Sequence, residues 1–118
     1  SDKYILEMAV LLKEGVEALQ RGYAKLGSNP ALADEDATFA RNAERKMEQT
    51  YRRALVHLYD RDTNLKLLVQ KSDATAADAL SMALDIFRTR EIYRDMYGAA
   101  DKLLQASGVL HDIVVKIA

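Results

Sequence analysis

The chain has 118 residues, with 17 Lys and Arg against 18 Asp and Glu for a net charge of −1, no cysteine, no tryptophan and a single proline. A length within the common domain range of roughly 100 to 150 residues supports one domain with a sizeable core, and zero cysteines exclude a disulfide framework, a thiolate metal centre and a cysteine nucleophile. Near-neutral charge gives no strong pull toward nucleic acid or anionic membrane, no apolar run approaches the roughly 18 residues that span a bilayer, and no signal-peptide pattern opens the chain.

These features lead to the expectation of a soluble cytoplasmic protein. The start at Ser1 rather than Met suggests a portion of a longer one.

In chain order, the first predicted helix covers residues 2–27. Its apolar stripe is Ile5, Ala9, Leu12, Val16, Leu19, Tyr23 and Leu26, at alternating spacings of four and three, as in a helix packed along another helix. Gly15 and Gly22 fall inside this run and weaken it by about 1 kcal/mol each relative to alanine, so packing must hold the helix. Gly27-Ser28-Asn29-Pro30 then breaks it.

Asp34-Glu35-Asp36 places negative charge at the expected start of a second helix. Phe39, Ala43, Met47, Ala54 and Leu58 form its predicted apolar side, with Tyr51 beside it. Residues 41–53 carry nine charged or strongly polar side chains, among them Arg41, Arg45, Arg52 and Glu48, and read as a solvated face. Asp60, Asp62 and Asn64 suggest a turn, followed by a short connector helix through Leu65, Leu67, Leu68 and Val69 that ends near Lys71.

Ser72, Asp73 and Thr75 compete for the N-cap of a last long helix. Its stripe is Ile92, Met96, Ala99, Leu103, Ala106, Leu110, Ile113 and Ile117. Unbroken from about 75 to 117 it would span roughly 60 Å, and a kink is expected near Gly98 or Gly108. The predicted architecture is all-α, an antiparallel up-and-down bundle of three long helices with a short connector.

The chain has no Gly-rich phosphate loop, metalloprotease helix motif or nucleophile elbow. His57 and His111 lie on different predicted helices with no ligand-spaced partner. Ser107, His111 and Asp112 share one helix, where adjacent positions do not supply triad geometry. A di-iron bundle requires a Glu three residues before a His, and the chain has Ala54 before His57 and Gly108 before His111.

The carboxylates offer more. Glu44 and Glu48 stand one turn apart on the second helix. The last helix sets Arg90, Arg94, Asp101, Gln105, Asp112 and Lys116 opposite its apolar stripe, with Glu91 at the border. Oxygen clusters from two helices suit hard cations or iron, whereas a solvated face with Arg and Lys partners is the ordinary use of such residues.

Residues 43–59 (AERKMEQTYRRALVHLY) and 90–117 (REIYRDMYGAADKLLQASGVLHDIVVKI) together resemble the C-terminal half of the PhoU-like family of Pit accessory proteins. The likeness is sharpest in Arg90-Glu91-Ile92-Tyr93-Arg94, Ala99-Ala100-Asp101 and Asp112-Ile113-Val114-Val115-Lys116. It implies a PhoU-like fold in which residues 1–118 form the second of two three-helix units, as a fragment or as a chain that pairs with its own copy. It further implies regulation of an inorganic phosphate transporter from the cytoplasmic side, without an established enzymatic activity.

Some PhoU-type proteins bind iron, zinc or other cations through a carboxylate followed four residues later by Asp, on each of two helices. By that resemblance Glu44, Glu48 and Asp101 are metal ligands for iron, zinc or magnesium, while Gln105 replaces the fourth carboxylate. The alternatives are a carboxylate bundle that stores or uses metal, and a structural dimerisation module.

Overall fold

The computed structural model describes residues 2–71 and 75–117. The expected N-cap candidates Ser72 and Asp73 lie outside the described residues, as does Ser1. Three helices, α1 (Lys3–Lys25), α2 (Pro30–Gln70) and α3 (Ala76–Ile117), form an up-down-up bundle 66 Å long and 16 Å across, and no strand occurs among the described residues. The all-α bundle of three long helices is therefore the observed fold.

Register follows from pairs across the helices. Lys25 meets Asp36 and Glu7 meets Arg53, so α1 and α2 run antiparallel; Asp34 meets His111 and Arg61 meets Asp85, so α3 turns back again. With 23 residues, α1 extends roughly 35 Å, while α2 and α3 extend roughly 62 Å each. One end is a three-helix bundle, and the other is a bare α2/α3 hairpin.

Local signals explain the ends. The Asp2 carboxylate caps α1 by accepting from the Tyr4 and Ile5 N–H groups. Asn29 accepts from the Leu32 N–H, and Pro30 occupies the first position of α2. The second helix thus starts four residues before the acidic cluster: Asn followed by Pro is a helix beginning, because proline's missing N–H would have no intrahelical partner there anyway. Thr75 caps α3 by accepting from the Asp78 N–H.

Two expectations are corrected in the hairpin and in α3. No turn interrupts 60–64 and no separate connector helix covers 65–71, since α2 is continuous to Gln70. Leu58 and half-buried Leu65 and Leu68 continue the apolar seam facing α3, and Lys66 pairs with Asp62 one turn away at 3.3 Å. That continuity outweighs the weak helix propensity of Asp and Asn. Neither Gly98 nor Gly108 breaks α3, whose straight length of roughly 63 Å matches the long axis of the molecule.

The buried stripes also differ from those expected. In α1 the buried positions are Met8, Gly15, Ala18, Leu19 and Gly22, while Ala9, Val16 and Tyr23 are exposed. In α2, Ala33, Ala37, Ala40, Ala43, Met47, Ala54 and Leu58 are buried, and Phe39 is exposed. In α3, Ile86, Thr89, Tyr93, Ala100, Leu103, Ser107, Leu110 and Val114 are buried, with Met96 partly so; Ile92 and Ile117 are exposed.

Small residues account for the rotation. Gly15 lies against Leu103 and Gly22 against Leu110, so the glycines are points of close helix approach rather than defects in a stripe. Gly98 is the contrasting case, because a Cβ added there meets nothing within 4 Å. Gly98→Ala is expected to stabilise the chain by about 0.5 to 1 kcal/mol, read as a higher urea midpoint with an unchanged slope.

The buried threonine and serine hydroxyls are satisfied inside their own helices. Thr50, Thr89 and Ser107 hydroxyls donate to the carbonyls of Lys46, Asp85 and Leu104. No described buried side-chain N or O lacks a partner.

Candidate functional site

Glu44 and Glu48 of α2 and Asp101 of α3 lie near enough along the α2/α3 boundary for Glu44 to feel the other two charges, without forming a cluster. Tyr51 of α2 stacks on Tyr97 of α3 with ring centroids 4.6 Å apart, which fixes the two helices side by side at this level. One to two turns from that stack, Glu44 is buried on α2. Burial pushes its carboxyl above the ordinary range, the charge of Glu48 pushes it further, Arg45 opposes, and Asp101 of α3 adds to the rise.

The neighbours of Glu44 point to partners on their own helices. Glu48 pairs with Arg52 at 2.6 Å, and Asp101 accepts from the Gln105 side-chain amide at 2.8 Å. Gln105, standing where the resemblance implies a fourth carboxylate, thus acts as a donor that occupies a would-be ligand. Among the described residues, no group of three or more His, Cys, Asp or Glu side chains is gathered closely enough to hold a metal ion. As placed, the donor set does not fit a cation; what it provides is one carboxyl that retains its proton more readily than usual.

The remaining sequence candidates have structural partners. His57 packs its ring against Tyr4, with centroids 5.3 Å apart. The His111 Nδ1 lies 2.6 Å from Asp34 Oδ1 on α2, so its carboxylate partner is neither Asp112 nor on its own helix. Ser107 is fully buried and donates to a backbone carbonyl, leaving Ser107, His111 and Asp112 without a common site. Arg94 pairs loosely with Glu91 at 3.6 Å.

Sequence reasoning missed two clusters. Asp34 and Asp36 are not first-turn charges: Asp36 is buried against α1, where Lys25 Nζ approaches to 2.8 Å and Arg21 to 3.8 Å, while Asp34 reaches His111. The signal available was the antiparallel register, in which positions 34 and 111, like 44 and 101, have nearly the same sum.

The second cluster is the junction where α1 begins. A cleft of about 670 Å³ there is lined by Asp2, Lys3, Tyr4, His57, Arg61, Asp85 and Thr89. The buried Tyr93 hydroxyl donates to Asp2, and Arg61 pairs with Asp85. Burial alone would raise the Asp2 carboxyl; the hydrogen bonds from Tyr93, Ile5 and Tyr4 and the positive potential of His57 outweigh it and hold Asp2 below its ordinary 3.8. Burial, the bond to Asp2 and the Asp2 charge together raise the Tyr93 phenol. Arg61 and Asp85 pair with each other, Lys3 lies over the Tyr4 ring, and the bond from Tyr93 to Asp2 fastens the start of α1 to α3.

No described helix is long and apolar enough to cross a membrane. Comparison of the chain with protein families, with characterised proteins and with solved structures finds no match.

Proposed function

We propose that the chain is an accessory protein of inorganic phosphate transport that works on the cytoplasmic side by binding other proteins, a phosphate transporter and copies of itself, rather than by catalysis. The resemblance of residues 43–59 and 90–117 supplies the transport context. The observation that carries the binding reading is the amount of large apolar surface left outside a narrow bundle: Val16 and Tyr23 on α1, Tyr59 and Val69 on α2, and Leu80, Phe87 and Ile92 on α3 are all exposed. Contiguous apolar surface beyond scattered single residues marks interaction sites.

The test is phosphate uptake at high external phosphate in cells with and without the gene, together with retention of the purified chain on vesicles containing the phosphate permease. Altered uptake and saturable retention are expected. Unchanged uptake with no retention would remove the reading.

A second reading is a cation site at Glu44, Glu48 and Asp101, which the resemblance implies: burial raises the Glu44 carboxyl most, and the charges of Glu48 and Asp101, which a bound cation would offset, raise it further. It requires Glu48 and Asp101 to leave Arg52 and Gln105. Calorimetric titration with iron, zinc and magnesium decides it. This reading expects binding heat that disappears in Glu44→Gln with Glu48→Gln, and it fails if the parent binds nothing or the variant binds equally. The double variant should fold, and Glu44→Gln should raise thermal stability at neutral pH. A carboxyl whose folded pKa is raised weakens the fold as pH climbs from its ordinary 4.5 through the higher folded value, so removing the charge recovers that loss.

A further inference from the structure

The three long boundaries of the bundle are not equivalent. Across α1/α2, Arg21 and Lys25 approach Asp36, and Arg53 approaches Glu7. Across α2/α3, Arg61 pairs with Asp85 and His111 with Asp34. No ion pair among the described residues joins α1 to α3.

That third side has an apolar strip along its middle, bordered by exposed Lys13 and Gln20 of α1 and Asp95 and Lys102 of α3. On α1, the positions Glu7, Arg21 and Lys25 mark the α2 flank, and Gly15 and Gly22 face Leu103 and Leu110. Ala9, Val16 and Tyr23 fall on the opposite flank, about 100° round from the glycines, and all three are exposed. On α3, Tyr97 and His111 mark the α2 flank by their contacts. Ile92, Ala99, Ala106 and Ile113 lie on the other side of Leu103 and Leu110, seven residues apart, half-buried or exposed. These are largely the stripes most regular in the sequence, now displaced from the core to one outer face.

We infer that this α1/α3 face is an isologous interface on which a second copy of the same chain docks. The inference rests on the reading that the protein works through protein contact, and it names the surface. From Ile5 to Tyr23 the face is about 27 Å long, and two helices side by side are about 20 Å wide. With side-chain relief this gives roughly 600 to 800 Å² per partner, close to the ~800 Å² that each side of a stable dimer buries. A copy brings two helices of matching length and the same spacing of four and three. The border charges Lys13, Lys102 and Asp95 are of both signs, as a self-complementary face allows, and a net charge of −1 does little to oppose self-association.

Sedimentation equilibrium at micromolar concentrations is the test. The parent is expected at twice its 13.2 kDa mass. Val16→Glu with Ile92→Glu should be monomeric with unchanged helical circular dichroism, whereas Leu80→Glu with Phe87→Glu on the hairpin should remain dimeric. Because the chain has no cysteine, Val16→Cys supplies a mild second probe: its maleimide labelling should slow as protein concentration rises, and that of Phe87→Cys should not.

A parent that is monomeric throughout, a dimer dissolved only by the hairpin variant, or Val16→Cys labelling that ignores concentration would overturn the interface. Each of these results leaves the permease-retention outcome untouched, so the two readings fail separately.

Discussion

Gly22→Ala is expected to destabilise the protein by about 1 to 2 kcal/mol, against the gain of about 1 kcal/mol that helix propensity alone would give. The methyl would stand 2.6 Å from Leu110 Cδ2, 3.2 Å from Asp36 Cβ and 3.3 Å from the Ala33 carbonyl oxygen. Leu110 can turn away. The Ala33 carbonyl and the Asp36 Cβ cannot, because they belong to an α2 segment held to α1 by the Asp36 ion pairs.

Leu110→Ala should cost about 2 to 5 kcal/mol, since Leu110 is fully buried and its loss leaves a cavity beneath Gly22. In that background the added methyl meets only the α2 contacts and partly fills the space. The double variant should therefore lose about 1 kcal/mol less than the sum of the singles. Urea unfolding of all four proteins at one fixed concentration measures the cycle, and strict additivity would show that the two residues do not share the space. At Gly15 the three nearest atoms all belong to the Leu103 side chain, so Gly15→Ala should cost less.

Tyr93→Phe is expected to cost about 1.5 to 3 kcal/mol, the range for a hydrogen bond to a charged group, because it removes the link from fully buried Tyr93 to Asp2 without changing the packing. The pH dependence carries the signature. Asp2 is held below its ordinary 3.8, so its contribution is complete above that value and is lost as pH falls through the lower folded pKa. The gap between parent and variant should therefore close in acid.

The Tyr93 phenol is raised instead, so its contribution is complete below its ordinary 10.0 and declines as pH rises beyond it. The variant should lack that part of the alkaline decline. Thermal melts across both ranges test the pair, and a gap that stays constant in acid would show that the Asp2 charge is not involved.

Much of the architecture is legible in the residues. Three apolar-periodic segments, the break at Gly27-Ser28-Asn29-Pro30 and the cap at Thr75 suffice for an all-α up-and-down bundle, because each is a local property of backbone and side chain. That Glu44 and Asp101 stand at one level of the bundle was also within reach, since antiparallel register brings together positions of constant sum. The way Glu48 and Asp101 turn to Arg52 and Gln105 was not, because rotamer choice depends on competing neighbours.

The inner face of each helix was the least legible feature. Helices α1 and α3 each carry two adjacent apolar stripes with almost identical spacing, and periodicity cannot rank them. On α3, Ile92, Ala99 and Ile113 look as core-like as Tyr93, Ala100 and Val114. Proline and acidic residues misled at the start of α2, and Asp60, Asp62 and Asn64 misled within it, for one reason: local propensities of about 1 kcal/mol yield to a continuous apolar seam.

By itself the sequence determined the three long helices, the position of the first turn, the near-neutral charge and the reliance on oxygen and nitrogen side chains in a chain without cysteine. Only the tertiary structure decided which stripe is core and which is surface. Gly15 and Gly22, lacking a Cβ, let α1 approach Leu103 and Leu110 closely, so they turn inward and carry Val16 and Tyr23 to the outside. The regular apolar pattern remains, but it lies along an outer face available to another chain.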